Sequence, residues 1–406
     1  MLSSNTLLLV AAAIAQYALP SSVSALPAGA VTPSTGGFRN PIISVSKGGK
    51  AVCVSGTVNV NATTNRNTRF NFQLPTTQIQ VTETFVEYVT SGTPFFDQIA
   101  GPDATVSGIW SIGATLCTPL GNAEPAGVQL LSHGVSFDRT YWDFALGYSY
   151  VDVAAENGYA SLLYDRLGVG QSQKPDPIQV VQAALEVEIA QSLSEMLRGG
   201  SLSNHAFSKV VGVGHSYGSI ITQAITANYP NSLDAAILTG FSVNASGVPA
   251  FLSGINLALA NQDQPARFAL LNNGYLVSST IISNQLGQFR APGFDPAILT
   301  LAEATKGTTT FGEMFTTFAV TAPALTYNKP VAVVDGAEDL PFCFGNCSYP
   351  INKAAAVQPA LYPNLPATNF DSYLASTAGH GLNLHYSAAG AFDFIQTFLQ
   401  QHGLGM

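Results

Sequence analysis

Lys209-Val210-Val211-Gly212-Val213-Gly214-His215-Ser216-Tyr217-Gly218-Ser219-Ile220-Ile221 is the stretch whose reading decides the fold. Its β-branched apolar run has the length and bulk of a buried strand. The run meets Gly214-x-Ser216-x-Gly218 and passes into an apolar-periodic segment, which predicts a helix ending near Asn228-Tyr229-Pro230. Strand, sharp turn and helix are the context that a G-x-S-x-G nucleophile elbow requires, and Ser216 is the nucleophile it would present. Gly212-x-Gly214-x-x-x-Gly218 also admits a loosened dinucleotide loop, but that wants an acidic residue closing the next strand. Asp234 opens the strand at 235–238 instead. An ordinary strand-to-helix turn could carry the same pattern, so the decision falls on whether a base and an acid follow in order.

A serine hydroxyl needs a base to take its proton, and the base needs an orienting carboxylate. In an elbow hydrolase the chain order is Ser, then Asp or Glu, then His. Downstream, the buried run 331–334 leads into Asp335-Gly336-Ala337-Glu338-Asp339. Asp339 is the expected acid, since a few loop residues carry it past the strand end; Glu338 and Asp335 are the alternatives. His380 is the expected base: it lies in Gly379-His380-Gly381, a glycine-flanked loop ahead of the last predicted helix. His385 and His402 are read as packed or solvent-facing. The oxyanion needs two N–H donors. The Tyr217 amide follows the nucleophile, and Gly134 in Ser132-His133-Gly134-Val135 lets the chain aim the Val135 amide inward. No Cys, His or acidic cluster has metal-ligand spacing, so neither metal nor cofactor is expected.

At 406 residues, 47% of them hydrophobic and 10% charged, the chain can bury a large core under a surface of uncharged polar residues. A net charge of −9 without a basic run argues against nucleic acid or an anionic membrane as partner. The apolar stretch 7–19 is too short to span a bilayer and leads to Val23-Ser24-Ala25, a small-residue cleavage pattern. A signal peptide over 1–25 and secretion are therefore expected, although the leader lacks a Lys or Arg. No stable membrane anchor is expected. In an oxidising compartment the four cysteines predict two disulfides, with Cys53–Cys117 and Cys343–Cys347 favoured among three connectivities. Loop closure makes them worth at most about 4 and 2 kcal/mol. Asn61, Asn244 and Asn346 stand in glycosylation tripeptides.

Residues 26–48 read as an extended lead-in. Alternation at Val52/Val54, Val58/Val60 and Ile79/Val81 reads as antiparallel edge strands, as does 109–116. From Gly127 buried strands alternate with helices, the mark of a doubly wound sheet. Asp176-Pro177 predicts the start of a helix over 178–197. A helical cap is expected over 241–330, between two parts of the core at 49–240 and 331–406. In it Phe311, Met314, Phe315 and Phe318 fall at helical spacing and read as the insertion's own packing more than as substrate wall.

His133-Gly134, Asp165-Arg166-Leu167-Gly168-Val169-Gly170-Gln171-Ser172, Gly214-His215-Ser216-Tyr217-Gly218, Gly336-Ala337-Glu338-Asp339 and Gly379-His380-Gly381 occur in one order. By these residues the chain resembles the α/β-hydrolase superfamily, and is most similar to its secreted fungal esterase-like members. The resemblance covers roughly 128–400. It implies a mostly parallel sheet of about eight strands, a cap after the sixth and a structural role for the 165–172 loop. The triad points to a carboxylic ester as substrate, and the apolar insertion with few basic residues favours a neutral, lipophilic acyl or alcohol group. Lactone, amide or peptide cleavage, transacylation, and a non-catalytic binding protein on the same fold are the alternatives.

Overall fold

The computed structural model of the chain describes residues 33–121 and 124–405. The expected leader and the start of the lead-in lie outside them. In chain order the strands are β1 (Arg39–Val45), β2 (Ala51–Phe70), β3 (Ala100–Pro119), β4 (Gly127–Ser132), β5 (Tyr159–Tyr164), β6 (Val210–His215) and β7 (Ala235–Thr239). β8 (Leu257–Leu259), β9 (Tyr275–Ser278) and β10 (Thr309–Thr310) follow, then β11 (Val331–Gly336) and β12 (Phe370–Ala375). Nine of these form one sheet in the order β1-β2-β3-β5-β4-β6-β7-β11-β12. From β5 to β12 neighbouring strands run parallel, whereas β1, β2 and β3 are antiparallel additions. The sheet has one strand more than the expected eight, because 39–45 within the lead-in pairs with β2 as an edge strand.

Burial accounts for the strand sequences. Every residue of β4, β5, β6, β7 and β11 is buried, as expected where helices cover both faces. The faces carry two apolar clusters, one including Val210, Ile220, Leu238 and Val333, the other Val211, Val213, Val334 and Phe392. β2 and β3 differ. Each has 20 residues, and β3 meets β5 only over Ala114–Cys117, so most of their length is a two-stranded ribbon. Cys53 and Cys117 stand opposite each other in that ribbon and are bonded, as are Cys343 and Cys347. The helices Gln78–Val89 and Phe95–Ile99 close the ribbon's end, and ribbon and helices together form an arm.

Three expectations require correction. Ile79/Val81 is not strand alternation: Thr77 and Gln80 form a capping box, and Val81 and Phe85, four residues apart, are the buried face of a helix. The helix predicted over 178–197 begins only at Ala183. Asp176 caps a turn by accepting from the Ile178 and Gln179 amides. The residues that would have been its first turns are used against the arm. Gln179 exchanges hydrogen bonds with the Phe70 backbone, and Gln182 does so with Thr68. The insertion, finally, is not wholly helical, since β8, β9 and β10 form a small antiparallel sheet within it.

The insertion follows β7, and β11 resumes the sheet beside it. The loops after β4, β6, β11 and β12 therefore all open at the carboxyl edge of the sheet, where the switch in strand order leaves a crevice.

Candidate active site

Ser216 follows β6 directly and holds φ 55°, ψ −118°, a conformation that costs a non-glycine residue on the order of 1–3 kcal/mol. The flanking glycines make this turn possible. A Cβ on Gly214 would lie 2.3 Å from the Gly218 carbonyl oxygen, and one on Gly218 would lie 2.0 Å from that of Ser132. The turn lifts the Ser216 hydroxyl towards the loop after β12, where His380 Nε2 lies 2.7 Å from Ser216 Oγ. His380 Nδ1 lies 2.5 Å from Asp339 Oδ2. The second Asp339 oxygen accepts from the Phe342 amide at 2.8 Å, and the Cys343–Cys347 bond closes the loop beyond it.

The two alternative acids point elsewhere. Glu338 pairs with Arg290 at the surface. Asp335 is buried beside the sulfurs of the Cys343–Cys347 bond, where a bonded disulfide offers no thiolate for a metal. Burial, and then the Asp339 charge, push its carboxyl well above the usual carboxylate range. Proton transfer can thus run along one line, from Ser216 Oγ to His380 Nε2, with Asp339 facing the far side of the ring.

Across from His380, Val135 and Ser216 line the same cavity. Among the described residues neither the Val135 nor the Tyr217 amide has a backbone acceptor. Tyr217 is the first residue of the helix Tyr217–Asn228, so its N–H also carries the positive end of the helix dipole. His133 sets the Val135 turn. Its Nδ1 donates to the Gly134 carbonyl at 2.9 Å, and its Nε2 accepts the Arg166 amide at 3.1 Å. Burial first, and then Arg166, hold this ring well below the usual histidine range, hence neutral.

With this geometry in place, a sequence model described as the alpha/beta hydrolase family matches residues 129–394. The chain belongs to the alpha/beta hydrolase family. No curated protein sequence matches this hydrolase. Solved structures similar to it include a thermophilic esterase from Thermogutta terrifontis, with 15% identity, 73% of this chain and 95% of that one covered, and a TM-score of 0.46. A peroxisomal alpha-beta-hydrolase from Saccharomyces cerevisiae is similar at 13% identity over 87% and 90% of the chains, with a TM-score of 0.49. Epoxide hydrolase A from Mycobacterium thermoresistibile is similar at 15% over 71% and 95%, with a TM-score of 0.46.

Two supports of the hydrolase's site were not read from its sequence. The first is Arg166, which is fully buried. Its Nε donates to the His133 carbonyl at 3.1 Å, and its guanidinium lies 4.4 Å over the Tyr217 ring. It also pairs with Glu186 on the helix Ala183–Arg198 and with Glu313 on the cap helix Phe311–Thr316. One cation thus ties together the His133 turn, Tyr217 and the cap. Burial first, and then Glu313, raise the Glu186 carboxyl to about 8, with Arg166 opposing.

The second support is His385, read from sequence as packed or solvent-facing. Its Nε2 accepts the Gly379 and Arg290 amides at 3.1 and 3.0 Å, and its Nδ1 donates to the Gly381 carbonyl at 3.0 Å. It therefore braces the loop that carries His380, and burial pushes its pKa down to about 4. His215, inside the elbow, is stacked on Tyr141 at 4.5 Å and kept neutral, by burial first and then by His380 and His133.

The cavity at Ser216 is small, about 50 Å³, and its walls are mainly apolar. Part of the aromatic stripe read as packing within the insertion lies here: Met314 and Phe318 face the cavity, while Phe311 and Phe315 pack on the arm. A larger cleft of about 470 Å³ lies among Val52, Leu116, His205 and Phe207, and contains none of Ser216, Asp339, His380, Val135 and Tyr217. Of the three glycosylation asparagines, Asn61 and Asn346 are exposed and Asn244 is half-buried. Among the described residues no helix is long and apolar enough to cross a membrane.

Proposed function

We propose that this hydrolase is a secreted serine esterase, acting on a carboxylic ester of a neutral small molecule through an acyl-enzyme. Ser216 Oγ attacks the carbonyl carbon while His380 Nε2 takes its proton. The Val135 and Tyr217 amides hold the oxyanion, each donor worth on the order of a hundredfold or more in rate. The imidazolium, steadied by Asp339, protonates the leaving alkoxide as the tetrahedral intermediate collapses to the acyl-enzyme. Water then repeats the sequence on the acyl-serine and frees the acid. The observation that carries this reading is the 2.7 Å hydrogen bond between Ser216 Oγ and His380 Nε2 on a strained elbow. A serine at the elbow disfavours epoxide opening through an alkyl-enzyme, which uses a carboxylate there. The two disulfides agree with passage through an oxidising compartment.

Fluorophosphonate labelling with peptide mapping, beside a p-nitrophenyl ester series from acetate to palmitate, tests the proposal. Label on Ser216 with ester turnover is the expected result. Label without turnover would redirect the search to lactones, amides or acyl transfer. Folded protein that takes no label would point to a binding protein on the hydrolase fold.

A further inference from the structure

The cavity at Ser216 has a wall from outside the part of the chain that the family model matches. That model begins at residue 129, yet Tyr88, on the arm helix Gln78–Val89, lines the cavity with Val135, Phe251, Met314 and Phe318. The Tyr88 ring is fixed from several sides. It lies 5.9 Å from Phe95 and 5.5 Å from Phe315, and its hydroxyl donates to the Met314 carbonyl at 3.0 Å. Beside it Phe85 stacks on Phe311 at 5.5 Å, so the arm and the cap helix Phe311–Thr316 share one aromatic cluster.

The polar atoms of this wall are already committed. The Tyr88 hydroxyl serves Met314, and the Thr317 hydroxyl serves the Glu313 carbonyl at 2.8 Å. What remains to meet polar substrate atoms is Ser216 with the Val135 and Tyr217 amides, and the ester group itself engages all three. A space of about 50 Å³, against roughly 10–15 Å³ of such space for one water molecule, takes only a few methylene-sized groups. A charged or hydroxylated acyl chain would be desolvated there without a partner.

Resting on the esterase reading above, we propose that Tyr88 is a specificity-determining residue, by which the arm closes the acyl site and limits the enzyme to short, uncharged acyl groups of about two to four carbons. The phenol is the wall against which a longer chain would collide.

The test is the ratio of kcat/KM for p-nitrophenyl octanoate to that for the acetate, in the full chain. Tyr88→Ala should raise this ratio at least tenfold, the usual worth of one or two methylenes in an apolar pocket, and move the optimum beyond butyrate. Tyr88→Phe, which keeps the wall and loses only the bond to Met314, should keep the wild-type profile. Tyr88→Leu retains apolar contact with Phe95 and Phe315 while shortening the wall; it should move the ratio in the same direction as alanine, and it answers the question if the alanine variant does not fold. An unchanged profile in the variants that fold, or one factor lost on every ester alike, would reduce Tyr88 to a packing residue and overturn the inference. A wild-type optimum at long chains would overturn it too. Ser216 labelling separates the two claims: label with an unchanged profile sinks this inference alone, whereas no label in folded wild type sinks the esterase reading and this one with it.

Discussion

Beneath Ser216 the site is held by polar contacts between loops that leave adjoining strands, whereas above it the cavity is walled by rings drawn from distant parts of the chain. In the floor, His133, Arg166, His380 and His385 are each held in position by hydrogen bonds at the ends of β4, β5 and β12. In the roof, Tyr88 and Met314 meet across 226 residues of sequence. The floor places atoms to within a fraction of an ångström, as proton transfer and oxyanion binding demand. The roof excludes water and selects by size. Chemistry is encoded in local spacing, and selectivity in long-range packing.

Floor variants should therefore abolish turnover without altering preference. Ser216→Ala should lower kcat by about a millionfold, by analogy with serine-triad knockouts. Asp339→Asn should cost about ten-thousandfold through the wrong histidine tautomer, and Glu338→Gln should stay near wild type. The reverse order in steady-state kinetics would move the acid to Glu338 and contradict the floor as described.

Arg166 joins floor to roof, and its loss should appear first in stability. Arg166→Met leaves Glu313 buried without its cation, at a cost of about 3–5 kcal/mol in urea unfolding. Glu186→Gln should cost far less and should change a pH dependence. Folded Glu186 keeps its proton up to about pH 8, while the unfolded carboxyl loses it near 4.5. The folded state then binds more protons between these values, so stability falls as pH rises through the window. The glutamine variant should flatten that fall.

His385 should give the smallest effect, with the opposite sign. Its ring stays neutral in the folded protein down to about pH 4, whereas the unfolded ring takes a proton near 6.5. Folding releases that proton in between, so stability drops as pH falls from 6.5 to 4, by up to about 3 kcal/mol. Unfolding of His385→Gln against wild type across this range checks it; equal slopes would remove His385 as a brace for the His380 loop.

The same contrast explains what was legible in the sequence. Gly214-x-Ser216-x-Gly218, the acid loop after β11 and Gly379-His380-Gly381 are short patterns whose backbone demands show in residue type, and the buried strands from β4 to β7 are continuous apolar runs. The arm gave a false period at Ile79/Val81, although Thr77 and Gln80 already held the capping signal. β8 has three residues and β10 two, too few for any alternation to register. Arg166 stood in a loop read as structural, and its partners Glu186 and Glu313 lie on separate helices that no spacing rule connects. The aromatic stripe at Phe311–Phe318 was visible as a helix face. What it packs against was not, because the other half of that cluster is the arm.

The most direct measurement is a rapid acid quench of the enzyme during turnover of p-nitrophenyl butyrate, followed by intact-mass analysis and peptide mapping. The account predicts one butyryl group, carried on the peptide that contains Ser216 and absent from Ser216→Ala. Steady hydrolysis with the acyl group on another residue, or undiminished turnover by Ser216→Ala, would contradict it.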